Sequence, residues 1–221
     1  SALASKATGF PIAYISSMLA VGFTLDEIPY WRDGTLDKYT PSGDYVVIKF
    51  PRWAFEKFKG SRDRLGTQML AVGEVMSIGK TYKEAFHKAV RSLEIGRCGL
   101  GFAKNFNELP VNDLLELLVE PSSERQFIMY EALRKKVSID ELHRLTGIKP
   151  WFIQQMKELV EHEEEILKYD YFSLPDELLI QAKKDGFADK YLAMILKTTE
   201  EKIRNRRIKL GVVEQWESIP I

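Results

Sequence analysis

Apolar residues recur along this chain in two rhythms. Between residues 44 and 78 the pattern is extended. Asp44-Tyr45-Val46-Val47-Ile48-Lys49-Phe50 is rich in β-branched and aromatic side chains and meets Pro51, which predicts a strand ending there. A second extended stretch runs from about Thr67 to Ile78, with Gly73 marking a bulge. From Gly96 onward the spacing becomes three and four, as in Ile139, Leu142 and Leu145, then Trp151, Phe152, Met156, Leu159 and Val160. That is the period of a helix burying one face.

Local signals set the ends of these elements. Pro11, after Thr8-Gly9-Phe10, suits the first position of a helix running to about Gly22. Thr24-Leu25-Asp26-Glu27 has the spacing of a capping box, in which a hydroxyl and a carboxylate satisfy orphan amides reciprocally. Pro29, Gly34, Pro41 and Gly43 predict a loop over 29–43. Thr81-Tyr82-Lys83-Glu84 is a second capping box, opening a helix to about Glu94, and Gly96-Arg97-Cys98-Gly99-Leu100-Gly101 is expected to be a linker.

Beyond it, capping boxes recur at Ser123–Gln126, Ser138–Glu141 and Thr198–Glu201, and no strand signal follows. About six short helices in a compact α domain are expected. Ser138–Met156, turning at Thr146-Gly147-Ile148, and Asp189–Leu210, turning at Lys197-Thr198, each have the layout of a helix-turn-helix.

The fold class expected is therefore α+β, mostly α: a mixed part over 1–95 and an all-helical part over 96–221. Two strands make no independently stable sheet, since three or more are generally needed. The first part is expected to close a larger α/β domain whose other strands lie upstream. Ser1-Ala2-Leu3-Ala4, with neither an initiating Met nor a secretory signal, fits a piece of a longer protein.

Composition narrows the function classes. Lys+Arg and Asp+Glu both number 32 in 221 residues, so the formal net charge is zero. A dedicated nucleic-acid or membrane-surface protein normally carries a large basic excess. No apolar run approaches the ~18 residues of a bilayer span. One cysteine, Cys98, permits no internal disulfide and fits a reducing, cytoplasmic setting.

Candidate chemistry is sparse. His87, His143 and His162 fall on separate predicted helices without ligand spacing and are expected to be solvated or core-edge side chains. Cys98 has no base nearby in sequence and is expected to be a buried thiol. Glu163-Glu164-Glu165 is expected to be a solvated helix face, because consecutive helical residues point in different directions. The basic run Lys202–Lys209 lies on the second helix-turn-helix unit, where a recognition helix would meet phosphates. The acidic helix from Glu158 to Glu165 would repel DNA, which favours a solvated face or a protein interface; a helical, helix-turn-helix-like nucleic-acid-binding module is the alternative reading.

Arg52, Arg62 and Arg64 surround a strand end, as phosphate contacts or as surface charges. Phosphoryl transfer needs metal carboxylates, phosphate-cradling amides and cations together. No G-x-x-x-x-G-K-[ST] or G-x-G-x-x-G motif occurs, and Gly99-Leu100-Gly101 is too short for either. No catalytic, cofactor-binding or metal-binding residue is nominated.

Three stretches carry a resemblance to a known family. They are Ser1–Ala13 (SALASKATGFPIA) with Leu19–Leu25, then Pro51–Phe58 with Leu65–Met69 and Val72–Gly79, and Trp151-Phe152, Glu158-Leu159-Val160 and Gly186–Asp189. Together they are similar to the carbamoyl phosphate synthetase large subunit, from just after its first ATP-grasp metal-binding motif through its helical oligomerisation domain. The resemblance implies an ATP-dependent ligase joining bicarbonate and ammonia with two ATP, in arginine and pyrimidine synthesis. It implies ATP and Mg²⁺ (or Mn²⁺), with K⁺, in the intact enzyme, held by residues upstream of Ser1. The implied partners are the rest of the large subunit, a glutaminase small subunit that supplies ammonia, and other large subunits through the helical part. No nucleic acid or membrane is expected as a partner. Trp151 and Phe152, and Phe187 with Tyr191, are the aromatics in question: an interface for the first pair, or one internal core for all four.

Overall fold

The computed structural model describes residues 2–219 except 31–33, 41, 42, 58 and 69, and the backbone alone of Glu56. Ser1, Pro41, Phe58 and Met69 of the motifs and loop above lie outside the described residues. Among the described residues the fold is α+β and mostly helical, with two small sheets.

Helices α1 (Ala2–Thr8) and α2 (Ile12–Ala20) open the chain, with Pro11 just before α2 rather than in its first turn. The Thr24–Glu27 box forms as a pair: Glu27 Oε2 accepts from Thr24 N at 2.9 Å and from its hydroxyl at 3.0 Å. Only a turn follows, because Pro29 turns the residue before it away from helix. The stretch expected to be a loop contains a small hairpin, β1 (Pro29–Tyr30) against β2 (Gly34–Thr35), and a 3-10 turn at Leu36–Lys38. Gly34 enters β2 at φ +85°, a conformation glycine adopts without steric cost. Ile15, Ile28, Tyr30 and Leu36 make a small separate core beneath Phe10, Met18 and Tyr39.

Strand β3 (Val46–Trp53) pairs antiparallel with β4 (Ala71–Gly79). The strand expected to stop at Pro51 runs through it, with Pro51 opposite Glu74. A ladder tolerates proline where the ring nitrogen faces away from the partner strand, and a two-stranded sheet has such a free edge. The register shifts opposite Arg52 and Trp53, leaving Val72 as the extra residue beside Gly73.

Helix α3 (Tyr82–Ser92) is capped by Thr81, whose hydroxyl accepts from Glu84 N at 3.2 Å. It covers one face of the sheet, with Phe50 and Phe86 centroids 6.0 Å apart and Ser77 Oγ donating to Ala85 O at 2.6 Å.

Seven helices follow: α4 (Val111–Val119), α5 (Arg125–Arg134), α6 (Ile139–Thr146), α7 (Pro150–Ile166), α8 (Asp176–Lys184), α9 (Asp189–Ile195) and α10 (Glu200–Lys209). Both helix-turn-helix units are present, α6–α7 through Gly147 at φ +70° and α9–α10 through Lys197 at φ +53°. The Ser138 box forms, accepting from Glu141 N at 3.2 Å, while the Thr198 box shifts by one and Thr199 caps α10. The Ser123 box does not form. Asp63 takes the amide and hydroxyl of Ser123 at 2.8 and 2.6 Å and pins the loop after β3 to the start of α5.

The glycine-containing stretch at 96–101 is not a free linker. Leu100 is fully buried. A Cβ on Gly99 would lie 2.5 Å from the Tyr191 ring, and one on Gly101 would lie 2.3 Å from the Tyr191 hydroxyl. Glycine is used here because backbone must cross a buried side chain. The main core is continuous on both sides of residue 96, from Phe50, Phe86 and Val90 through Leu100 to Leu142, Leu159 and Ile203. Among the described residues no helix is long and apolar enough to cross a membrane.

Candidate assembly surface

The helical body is organised around a buried ionic cluster. Glu163, expected on a solvated face, is wholly buried. Its place in the stripe Met156, Leu159, Val160 and Ile166 was the signal, for it lies three or four residues from each of the last three. Arg134 donates to Glu163 Oε1 and to Glu131 Oε2, both at 2.7 Å, and also to Glu164. Tyr191 donates between the two Glu163 oxygens, 3.0 Å from each, Tyr130 donates to Glu163 Oε2, and Phe102 N donates to Glu131 at 2.6 Å. Burial holds the Glu163 carboxyl above its ordinary value, with Arg134 and the two tyrosines offsetting only part of that push. Burial works against the Arg134 charge, but Glu163 and Glu131 outweigh it and hold the guanidinium above its ordinary value. A buried charge is tolerable only when paired and hydrogen-bonded in this way.

A second cluster docks the α8–α9 corner onto α3, and it brings together two histidines that the sequence separates by 75 positions. His87 Nδ1 donates to Asp185 O at 2.9 Å, and His162 Nδ1 bonds Asp185 Oδ2 at 2.9 Å. Phe187 packs edge-on between the two rings, at 4.6 and 5.8 Å. Burial pushes the His87 imidazole down to about 4. Burial raises the Asp185 carboxyl, but His162, Lys83 and Gln181 together hold it below the usual range. Gly186, at φ +88°, fits against His87 Cβ, where an added Cβ would sit at 3.0 Å. His143 instead bonds Ile148 O at 2.7 Å and closes the α6–α7 turn. Cys98 is a part-buried free thiol. Among the described residues, no three His, Cys, Asp or Glu side chains are grouped to hold a metal.

The basic run on α10 is largely spent on internal contacts. Ile203 is fully buried. Arg206 donates to Asp176 at 2.6 Å and to Tyr171 O at 2.7 Å; buried Arg207 donates to Asp189 at 2.8 Å and to Glu214 at 2.7 Å. Arg204 pairs with Glu200 at 3.0 Å. Arg206 and Arg207 hold α10 to α8, α9 and the following tail, which leaves Lys202, Arg204 and Lys209 exposed. Arg64 pairs with Glu120 at the surface at 3.7 Å, its amide bonds Arg62 O, and Arg52 lies within β3 at the bulge.

The four candidate aromatics divide. Phe187 and Tyr191 are core residues, 2% and 1% exposed. Trp151 and Phe152, in the first turn of α7, remain 55% and 42% exposed. They stack edge-on at 5.1 Å, and Tyr82 at the start of α3 touches them at 5.3 and 5.6 Å. Tyr82 in turn stacks on Phe86 at 5.5 Å. An exposed aromatic pair at the start of one helix, backed by a third ring at the start of the helix packed beside it, is the type of anchor that interfaces use. Tyr82 was missed in the sequence because it sits inside a capping box and its ring partners lie 69 and 70 positions away.

Residues 74–211 match the family model described as the carbamoyl-phosphate synthetase large chain, oligomerisation domain. The chain is 48% identical over 96% of its length to a carbamoyl phosphate synthase large chain of Archaeoglobus fulgidus. It is 46% identical over 99% to the arginine-specific, chloroplastic large chain of Arabidopsis thaliana. It is 41% identical over 96% to the N-terminal section of the large chain in Methanopyrus kandleri. The chain spans 20%, 19% and 40% of these relatives' lengths respectively.

Proposed function

The chain belongs to the carbamoyl-phosphate synthetase large-chain family, matching its oligomerisation domain, and from that premise we propose that it works by assembly, with Trp151 and Phe152 as the contact. The observation that carries this reading is the exposure of two adjacent large aromatics that pack edge-on against each other and on Tyr82. An isologous pairing through this face is the simplest symmetric outcome.

In the same reading, the mixed part over 1–95 closes an ATP-grasp domain. The parent protein is then the ATP-dependent ligase that makes carbamoyl phosphate from bicarbonate, ammonia and two ATP. ATP and Mg²⁺ (or Mn²⁺), with K⁺, and a glutaminase partner would act through residues outside this chain. One relative's name ties that protein to arginine and to the chloroplast, which supports the arginine side of an arginine or pyrimidine role; a cytoplasmic setting is proposed from the single cysteine alone. No observation favours nucleic acid as the partner.

Sedimentation velocity tests the assembly reading. The chain at tens of micromolar should show concentration-dependent association, which Trp151→Ser with Phe152→Ser abolishes without lowering the melting temperature much. A clean monomer throughout, or association unchanged in the double variant, would contradict it.

A further inference from the structure

Helix α3 and the α8–α9 corner meet at two main-chain oxygens. His87 Nδ1 donates to Asp185 O at 2.9 Å, and Arg91, one turn later, donates to Gly186 O. On its other side the corner is held to α7, where His162 Nδ1 meets Asp185 Oδ2 at 2.9 Å. Phe187 fills the space between the two rings. Asp185 is therefore gripped from α3 through its backbone and from α7 through its carboxylate.

The two histidines answer a proton in opposite ways. Nε2 of each is buried, with no hydrogen-bonding partner among the described residues. At His162 a proton turns the contact with Asp185 into an ion pair. His87 is 1% exposed, and its Nδ1 is spent on a neutral carbonyl. A proton there makes a buried charge whose second N–H has nothing to receive it, which is costly.

The charges packed around His87 do not supply that acceptor. On α3, Glu84 pairs with Lys88 at 2.5 Å, and Lys83 takes Glu158 of α7 at 2.5 Å. Gln181 of α8 donates to Asp185 Oδ1 at 3.1 Å. Asp189 of α9 is shared by Lys183 of α8 at 2.7 Å and Arg207 of α10 at 2.8 Å. Burial opposes a charge on His87, and Arg91 and Lys183 oppose it further; Asp185 favours it.

We infer that the α8–α9 corner is a proton-operated joint: a proton on His87 frees it from α3, while His162 keeps it on α7. The charged ring reaches water only when the corner lifts. Gly186 lets the closed joint fit tightly, since a Cβ there would lie 3.0 Å from His87 Cβ and 3.1 Å from Glu84 Cα. Helix α3 carries the β3–β4 sheet, so the joint sets how that sheet is held to the helical body. The inference does not depend on assembly through Trp151 and Phe152, which contact Tyr82 at the start of α3.

Hydrogen exchange of the full chain, read amide by amide by NMR and corrected for the intrinsic rate at each pH, tests the joint. The opening constant for Asp185, Gly186 and Phe187 should rise about fiftyfold from pH 7 to pH 4.5, because His87 titrates at about 4 when held and near 6.5 when free. The rise should depend little on added urea, because a local opening exposes little surface. His87→Asn keeps a donor toward Asp185 O but cannot take the proton, and it should abolish the rise. His162→Asn should leave the rise in place. A rise that survives His87→Asn, that is lost in His162→Asn, or that has the urea dependence of global unfolding would overturn the inference. Should His87→Asn fail to fold, the ring signals of the unaltered chain decide. A His87 ring held near 4 in the folded protein supports the joint, and one titrating near 6.5 overturns it.

Discussion

Residues 2–40 and the helical body from α3 to α10 fold on different terms. The first region buries Ile15, Ile28, Tyr30 and Leu36 and leaves Tyr14, Val21, Phe23 and Leu25 between 43% and 73% exposed. The second has a continuous core with two polar clusters inside it, held by Arg134 on Glu163 and by His162 on Asp185. Burial of apolar area is the main favourable term in folding, so a region whose separate core joins four buried residues among those described has little of its own to set against chain entropy. The β3–β4 sheet belongs with the second region, because Phe50 joins the main core through Phe86. The contrast locates autonomy in the helical body and dependence on a neighbour at the N-terminal region.

The largest effect should come from breaking the ionic cluster. Arg134→Met leaves Glu163 and Glu131 buried without their cation and should cost about 3–5 kcal/mol in denaturant unfolding of the helical body. Amide exchange within 2–40 should not change.

Acid should weaken the helical body next. The His87 imidazole titrates near 6.5 when unfolded but at about 4 when buried. Between those values the unfolded chain binds more protons, so stability rises with pH. The contribution is complete above about pH 6.5 and is lost as pH falls to about 4. Its size is on the order of 3 kcal/mol, from the shift between the two values. His87→Gln should flatten that part of the stability–pH curve, and an unchanged slope would assign it elsewhere.

A smaller loss is expected from Gly101→Ala. The new methyl would meet the Tyr191 hydroxyl at 2.3 Å and Arg134 Nη2 at 2.7 Å. Overpacking of this kind costs about 1–3 kcal/mol, measurable as a lowered unfolding midpoint.

Most helices were legible because their signals are local. Ser138 and Thr81 act as caps where their spacing with Glu141 and Glu84 places them. Thr24 and Glu27 show the limit: their bonds form, yet Pro29 denies them a helix. Pro51 misled because the sequence does not say which way a strand's nitrogens face. What remained hidden depends on long-range packing. Gly99 and Gly101 resembled a linker because Tyr191, the side chain they make room for, lies some ninety positions on. His87 and His162 meet only once α8 and α9 turn the corner at Gly186. Of the candidate surface, Trp151 and Phe152 were visible in the sequence; Tyr82 was not, since its contact with their rings is a property of the folded chain.

Hydrogen exchange of the intact chain tests the central contrast most directly. Amides of α5 and α7 should exchange only through global unfolding, whereas those of α2 and the β1–β2 hairpin should exchange through local opening at far lower cost. Equal protection in the two regions, in a chain shown to be monomeric under the same conditions, would contradict the account.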